Sequence, residues 1–207
     1  MNLLSVKQFS ILGRCAGTPY ALACANHFKD RVSRVGIVSG IPRAQDIVDQ
    51  SDSPMLLKSA LGILKKSPNM SAHLYKILLK DGIEPSFKRL VSSSTGALIL
   101  TALDRSWYQE TSIFEHTLSN MDRALKQGVS ACINKLRPLF SSWNFDAGGN
   151  HIEHIFWHGE NDPVISTPMI NKLAAEFKNH HIEILPKESH LLFERHFEKI
   201  YVALATK

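Results

Sequence analysis

The sequence predicts an α/β fold: a mostly parallel sheet flanked by helices, with a helical insertion in its middle. Three observations predict it. Residues 6–39 read as strand, tight turn, helix, strand; residues 151–204 read as strand, loop, helix, strand, loop, helix; and residues 42–140 carry helical spacing with no strand pattern.

The elements follow in chain order. Residues 6–12 (VKQFSIL) form a short β-rich run, followed by a stretch of small residues at 13–17. From Thr18 to Phe28, Tyr20, Ala21, Ala23, Cys24 and Phe28 fall at helical spacing, with small residues on one side. Residues 32–39 (VSRVGIVS) read as a buried strand ending at Gly40. Two strands joined through a helix should be parallel. Between Pro42 and Phe140, Leu, Ile, Met and Lys recur at helical spacing, interrupted at Pro54, Pro68, 82–85 and Gly96, which gives several short amphipathic helices. The strand pattern returns at 151–158 (HIEHIFWH). Pro168 suits the first turn of a helix reaching about Lys178, 181–185 is a short strand, and 191–204 closes the chain as a helix. The organisation is one domain over 1–207 with an insertion over 42–140.

The bulk numbers exclude several classes. The chain has 207 residues, 44% hydrophobic and 21% charged, as expected of a globular protein with a core rather than a disordered or fibrous one. The net charge of +5 comes from Lys and Arg scattered among acids, so no basic stripe for nucleic acid is present. No apolar run approaches the ~20 residues of a membrane span. Ala21-Leu22-Ala23 resembles a signal-peptidase site, but Gly13, Arg14, Gly17 and Pro19 break the apolar stretch that a secretory signal needs. Three cysteines, Cys15, Cys24 and Cys132, with no regular or metal-ligand spacing, point to free thiols in a reducing, cytoplasmic compartment.

One constellation carries chemistry. Gly13-Arg14-Cys15-Ala16-Gly17 places a nucleophile between two glycines at a strand-to-helix turn. A turn that sharp forces the middle residue into a strained backbone and lifts its side chain above the sheet, while its flanks stay small because strand and helix backbones pass close by. The Ala16 N–H, opening the helix, is placed to donate to an oxyanion, and the helix N-terminus favours a thiolate. Asp162, in HGENDPV, and His190, in KESHL, each follow a predicted strand, at the sheet edge where ligands bind in open α/β folds. The order nucleophile, acid, histidine is the one this architecture uses. Read singly, each is unremarkable: Cys15 as a small buried thiol, Asp162 as a turn residue, His190 as one of ten histidines. Asp46 is a weaker candidate acid. Cys24 and Cys132 read as core residues, His158 as a brace for its loop, and His27, His73, His116, His151, His154, His180 and His181 as surface or packing residues.

With these residues in place, FSILGRCAGTPYALACANHFKDRVSRVGIVSG resembles the nucleophile-elbow region of bacterial α/β-hydrolases, HIFWHGENDPV their acid-bearing loop and LPKESHLLF their histidine loop. The resemblance runs from Leu4 to the end of the chain, and the middle matches a helical cap in place and length, with Trp143, Arg123 and Lys126 on the approach to the acid strand. It implies a partial α/β-hydrolase fold from the elbow strand onward, with Cys15 as nucleophile, Asp162 as acid, His190 as base and Ala16 as one oxyanion-hole donor. Two departures stand out. Cysteine replaces the usual serine, as in the dienelactone hydrolases. Family members also carry further strands and a loop with the second oxyanion donor ahead of the elbow. The expectation is therefore an internal start at Met1 or a truncated gene, with residues 6–12 left as an edge whose apolar face is uncovered and which an oligomer or a preceding segment would cover.

The function implied is cleavage of an ester, thioester or related acyl bond in a small-molecule substrate, with no metal or organic cofactor and no nucleic-acid or membrane partner. A non-catalytic remnant acting as a binding protein, and an acyl-transferase using the same residues, are the alternatives.

Overall fold

Apolar runs too short for helices become the sheet. The computed structural model describes residues 5–49, 55–140, 143 and 151–205. Leu4 and Pro54, used above, lie outside the described residues. Four strands stand in chain order, β1 (Phe9–Arg14), β2 (Val32–Val38), β3 (Glu153–Gly159) and β4 (His180–Leu185), each parallel to its neighbour. Helix α1 (Thr18–His27) links β1 to β2, α9 (Thr167–Ala174) links β3 to β4, and α10 (Leu192–Ala205) follows β4.

Side chains alternate across each strand, so the central strands β2 and β3 bury both faces. On one face Val35, Ile37 and Phe156 pack against Leu22 and Ala25 of α1 and Ile170 and Leu173 of α9. On the other, Val38, Ile155 and Trp157 pack against Leu192, Ile200 and Leu204 of α10. Each fully buried large side chain stabilises by roughly 1.5–3 kcal/mol.

Several expectations need correction. β1 begins at Phe9 rather than at position 6 because the carbonyls of Val6 and Lys7 accept from the Arg31 side chain, so they do not extend the strand. Its apolar faces are covered: Phe9 and Ile11 lean on the first cluster and Leu12 on the second, since α1 and α10 both reach across. Among the described residues, β1 keeps an open outer edge, pairing with β2 alone, as β4 pairs with β3 alone. Cys24 is exposed, not core. Alanines and cysteine surround α1, and its buried face is Thr18, Pro19, Ala21, Leu22 and Ala25. Cys132 is half-buried.

The insertion between β2 and β3 is helical throughout its described part: α2 (Ala44–Asp49), α3 (Met55–Lys66), α4 (Pro68–Leu78), α5 (Ile83–Ser92), α6 (Ala102–Trp107), α7 (Thr111–Leu125) and α8 (Val129–Asn134). Ala44, Ile47 and Leu61 dock it on Ile165 and Met169, just after β3. Arg43 lies 4.7 Å over the buried Trp143 ring and makes a paired bond to Glu176 at 2.6 and 2.7 Å. Among the described residues, no helix is long and apolar enough to cross a membrane, and no cluster of His, Cys, Asp or Glu could hold a metal ion.

Candidate active site

β1 ends at Arg14, and the next residue turns sharply into a 3-10 segment, Cys15–Gly17, that leads into α1. Cys15 takes φ +49°, the left-handed region that a side chain occupies at a cost of about 1–3 kcal/mol. The turn is fastened from outside: Thr18 Oγ1 donates to the Cys15 carbonyl at 2.7 Å and accepts from the Ile41 N–H at 3.1 Å. A Cβ on Gly13 would meet the Ala21 Cβ at 2.6 Å and the Ile37 side chain at 3.1 Å. Gly17 differs from expectation, because a Cβ there would meet nothing within 4 Å and its backbone is ordinary helical. The strand–helix crossing pinches the chain ahead of the nucleophile and not after it. Gly13→Ala is therefore expected to lower stability by about 1–3 kcal/mol, while Gly17→Ala stays within about 0.5 kcal/mol. Thermal melts of the two variants against the parent check this.

The other two predicted residues arrive from β3 and β4. Asp162 follows β3; its Oδ1 accepts from the N–H groups of Val164 and Ile165 at 2.8 and 3.0 Å, which leaves Oδ2 for His190 Nδ1 at 2.8 Å. His190 Nε2 lies 3.2 Å from the Cys15 sulfur. The three side chains thus form one continuous chain of contacts at the C-terminal rim of the sheet, and the Ala16 N–H is close enough to the sulfur to help hold a thiolate. Asp46, the weaker candidate, is elsewhere: it pairs with Lys172 and Arg43 on α2.

The electrostatics fit an ion pair. Burial pushes the Cys15 thiol up, but the hydrogen bond and charge of His190, the Ala16 N–H and Arg14 outweigh it, so the thiol sits below its ordinary 9.0. Burial likewise opposes charge on His190, yet Asp162 and Cys15 raise it from 6.5 to about 10. Asp162 is held below the usual carboxylate range: burial resists ionisation, and His190, His158 and the Ile165 N–H more than reverse it. His158 is pushed down by burial. Its Nε2 bonds the Ile165 carbonyl at 2.9 Å, which braces the acid loop as its position suggested. Its Nδ1 has no hydrogen-bond partner among the described residues and stands 3.9 Å from Asp162 Oδ2.

Sequence reasoning missed what holds the histidine loop. A Cβ on Gly159 would come within 2.5 Å of the Ser189 carbonyl, so the loop packs directly on the end of β3. Ser39, buried with φ +45°, donates its hydroxyl to the His190 carbonyl at 2.7 Å. Asn161 N–H bonds the Glu188 carbonyl at 2.8 Å. The fully buried Ser189 donates to the fully buried Asp104 of α6. The glycine that ends β3 and the Thr101–Asp104 capping pattern are the local signals for two of these.

A cavity of ≈ 820 Å³ opens beside Arg14, walled by Trp107, Tyr108 and Ile113 of the insertion and by Phe193 and Phe197 of α10.

No protein-family model and no curated protein sequence matches the chain. Solved structures do. A hydrolase from Oleispira antarctica superposes with a TM-score of 0.62 at 14% identity over 99% of this chain and 67% of its own. The 2-hydroxy-6-oxo-6-phenylhexa-2,4-dienoate hydrolase from Rhodococcus sp. strain RHA1 gives 0.62 at 13% identity, with 99% and 65% covered. The enol-lactonase from Burkholderia xenovorans LB400 gives 0.60 at 13%, with 98% and 66% covered. The chain spans about two thirds of the length of each. At this identity the likeness establishes the fold, and the fold is that of the α/β-hydrolases.

Proposed function

From an α/β-hydrolase fold with cysteine at its elbow, we propose that this chain hydrolyses an ester, thioester or related acyl bond through Cys15, His190 and Asp162. The observation that carries the reading is the unbroken line from the Asp162 carboxylate to the imidazole at 2.8 Å and on to the sulfur at 3.2 Å. The solved neighbours, named as a hydrolase, a dienoate hydrolase and an enol-lactonase, support the reaction class.

The reacting form of the pair is thiolate and imidazolium. The Cys15 sulfur attacks the substrate carbonyl carbon, and the Ala16 N–H donates to the oxyanion that forms. As the tetrahedral intermediate collapses, His190 Nε2 gives its proton to the departing alkoxide or thiolate, leaving a thioester on Cys15. Neutral His190 then takes a proton from water, whose oxygen attacks the thioester. Collapse expels the Cys15 thiolate and releases the acid, restoring the imidazolium. Asp162 holds Nδ1–H toward itself throughout, which fixes the tautomer and stabilises the charged ring. The substrate is a small acyl compound.

The test is alkylation with iodoacetamide across pH, followed by p-nitrophenyl acetate turnover. A lowered thiol value keeps the thiolate populated further down in pH, so Cys15 should alkylate faster than an ordinary thiol at each pH below the ordinary thiol range. Turnover should fall in proportion to modified Cys15. Turnover that survives complete alkylation of Cys15 would rule the mechanism out.

A further inference from the structure

We infer that Asp104, in the helical insertion, is a positioning residue for His190 that acts through the hydroxyl of Ser189; the inference rests on the function proposed above. Aspartate is almost never fully buried unless it is paired, and Asp104 is fully buried on α6. One of its oxygens, Oδ2, closes a capping box with Thr101, accepting from Thr101 N–H at 3.0 Å and Thr101 Oγ1 at 2.9 Å. A capping box works at the surface and gives no reason for burial. The other oxygen, Oδ1, accepts from the Ser189 hydroxyl on the residue directly before His190.

The remaining ties on that loop come from the sheet: Ser39 on the His190 carbonyl, Asn161 on the Glu188 carbonyl, and Gly159 against the Ser189 backbone. They fix the backbone height of the loop. Lys187, at φ +63°, turns the loop, and Ser189 then faces the insertion. Asp104 supplies the anchor that resists rotation of the Ser189–His190 segment away from Cys15. A second contact runs from the same helix. Arg195, bonded to Glu188 Oε2 at 2.8 Å, lies 5.6 Å over the Trp107 ring. Trp107 also walls the cavity beside Arg14, so a ligand seated there bears on the helix that holds the histidine.

The experiment uses the full chain with Ser189→Ala, Asp104→Asn and the pair combined. The primary readout is the pH dependence of Cys15 alkylation by iodoacetamide, which needs no turnover; the second is kcat and KM for p-nitrophenyl acetate. The groups facing the Cys15–His190 pair, His158 from β3, Asp162 from the loop after it and Arg14 from β1, are unchanged in every variant. With the imidazole less well aligned, each single variant should alkylate several-fold more slowly at pH 6, because a thiol whose titration moves up carries less thiolate there. kcat should fall while KM holds, and the double variant should be no worse than the poorer single, because the two residues form one contact. Ser189→Thr, which restores a hydroxyl, should recover part of the rate. If Asp104→Asn folds poorly, Ser189→Ala, which removes only a hydroxyl, decides the matter alone. An alkylation profile for Ser189→Ala that superimposes on the parent overturns the inference. A parent chain with a reactive Cys15 but no ester turnover instead overturns the proposed function, and the alkylation comparison still stands.

Discussion

Replacing Cys15 by alanine is expected to reduce p-nitrophenyl acetate hydrolysis by at least about 10⁴-fold, with the fold intact. Removing the nucleophile of a site that works as a unit costs nearly as much as removing the whole unit. The sulfur is held by His190 and the Ala16 N–H, and no core packing is built on it: none of the clusters of buried residues contains Cys15. The variant should therefore melt near the parent. Alanine at φ +49° carries the same strain as cysteine there, so the elbow itself is not relieved. Cys15→Ser is the sharper comparison. Its hydroxyl fits the same space, but an alcohol is far too weak an acid to pair as an anion with the ring, so His190 keeps the rise that Asp162 gives it and loses the part that Cys15 adds. Serine must then be activated by a neutral imidazole, and the expected result is low activity that iodoacetamide no longer abolishes. Parent-like turnover in Cys15→Ala would place the chemistry elsewhere.

The sequence reveals this site because its three reacting groups sit in loops between a strand and a helix, and such loops are marked by the change from an alternating or continuous apolar run to a glycine, proline or charged cluster. Gly13 and the small residues after it locate Cys15; HGENDP locates Asp162; KESH locates His190. Their convergence needs only that the strands be parallel and ordered. The sheet itself was legible for the same reason, since 35–38 (VGIV) and 155–157 (IFW) are continuous runs with no charged residue, as a strand buried on both faces requires. Other features have no such local signature. The buried face of α1 was misread because alanines and a cysteine lie on every side of it, and only the sheet beneath decides that Ala21 and Leu22 turn inward while Cys24 turns out. Position 17 is a glycine in a motif that requires small neighbours, yet the crossing it should relieve occurs at Gly13 alone. Asp104 and Ser189 are 85 residues apart, on a helix of the insertion and a loop of the core, and nothing in either stretch names the other. Burial of a polar pair becomes visible only once the insertion is folded over the sheet.

Asp162→Asn is expected to cost about 10⁴-fold in turnover by imposing the wrong tautomer on His190, and the structure dictates which way the new amide points. Val164 and Ile165 present N–H groups to Oδ1 at 2.8 and 3.0 Å, so the amide oxygen must take that place. The NH2 then falls where Oδ2 was, 2.8 Å from His190 Nδ1, and can only donate. The ring must accept at Nδ1 and carry its proton on Nε2, where it can no longer take one from the thiol or from water. The charge that raises His190 is lost at the same time, so His190 should fall from about 10, the Cys15 thiol should rise toward its ordinary value, and alkylation at pH 6–7 should slow. Stability should not follow activity. The second amide hydrogen is available to His158 Nδ1, 3.9 Å from the Oδ2 position and without a hydrogen-bond partner among the described residues, so a small shift would satisfy a buried nitrogen that the carboxylate, an acceptor only, leaves unmatched. Far-ultraviolet circular dichroism and a thermal melt close to the parent, beside a large fall in kcat and slowed alkylation, is the outcome this geometry requires. A variant that keeps its turnover would mean that Asp162 does not set the state of His190.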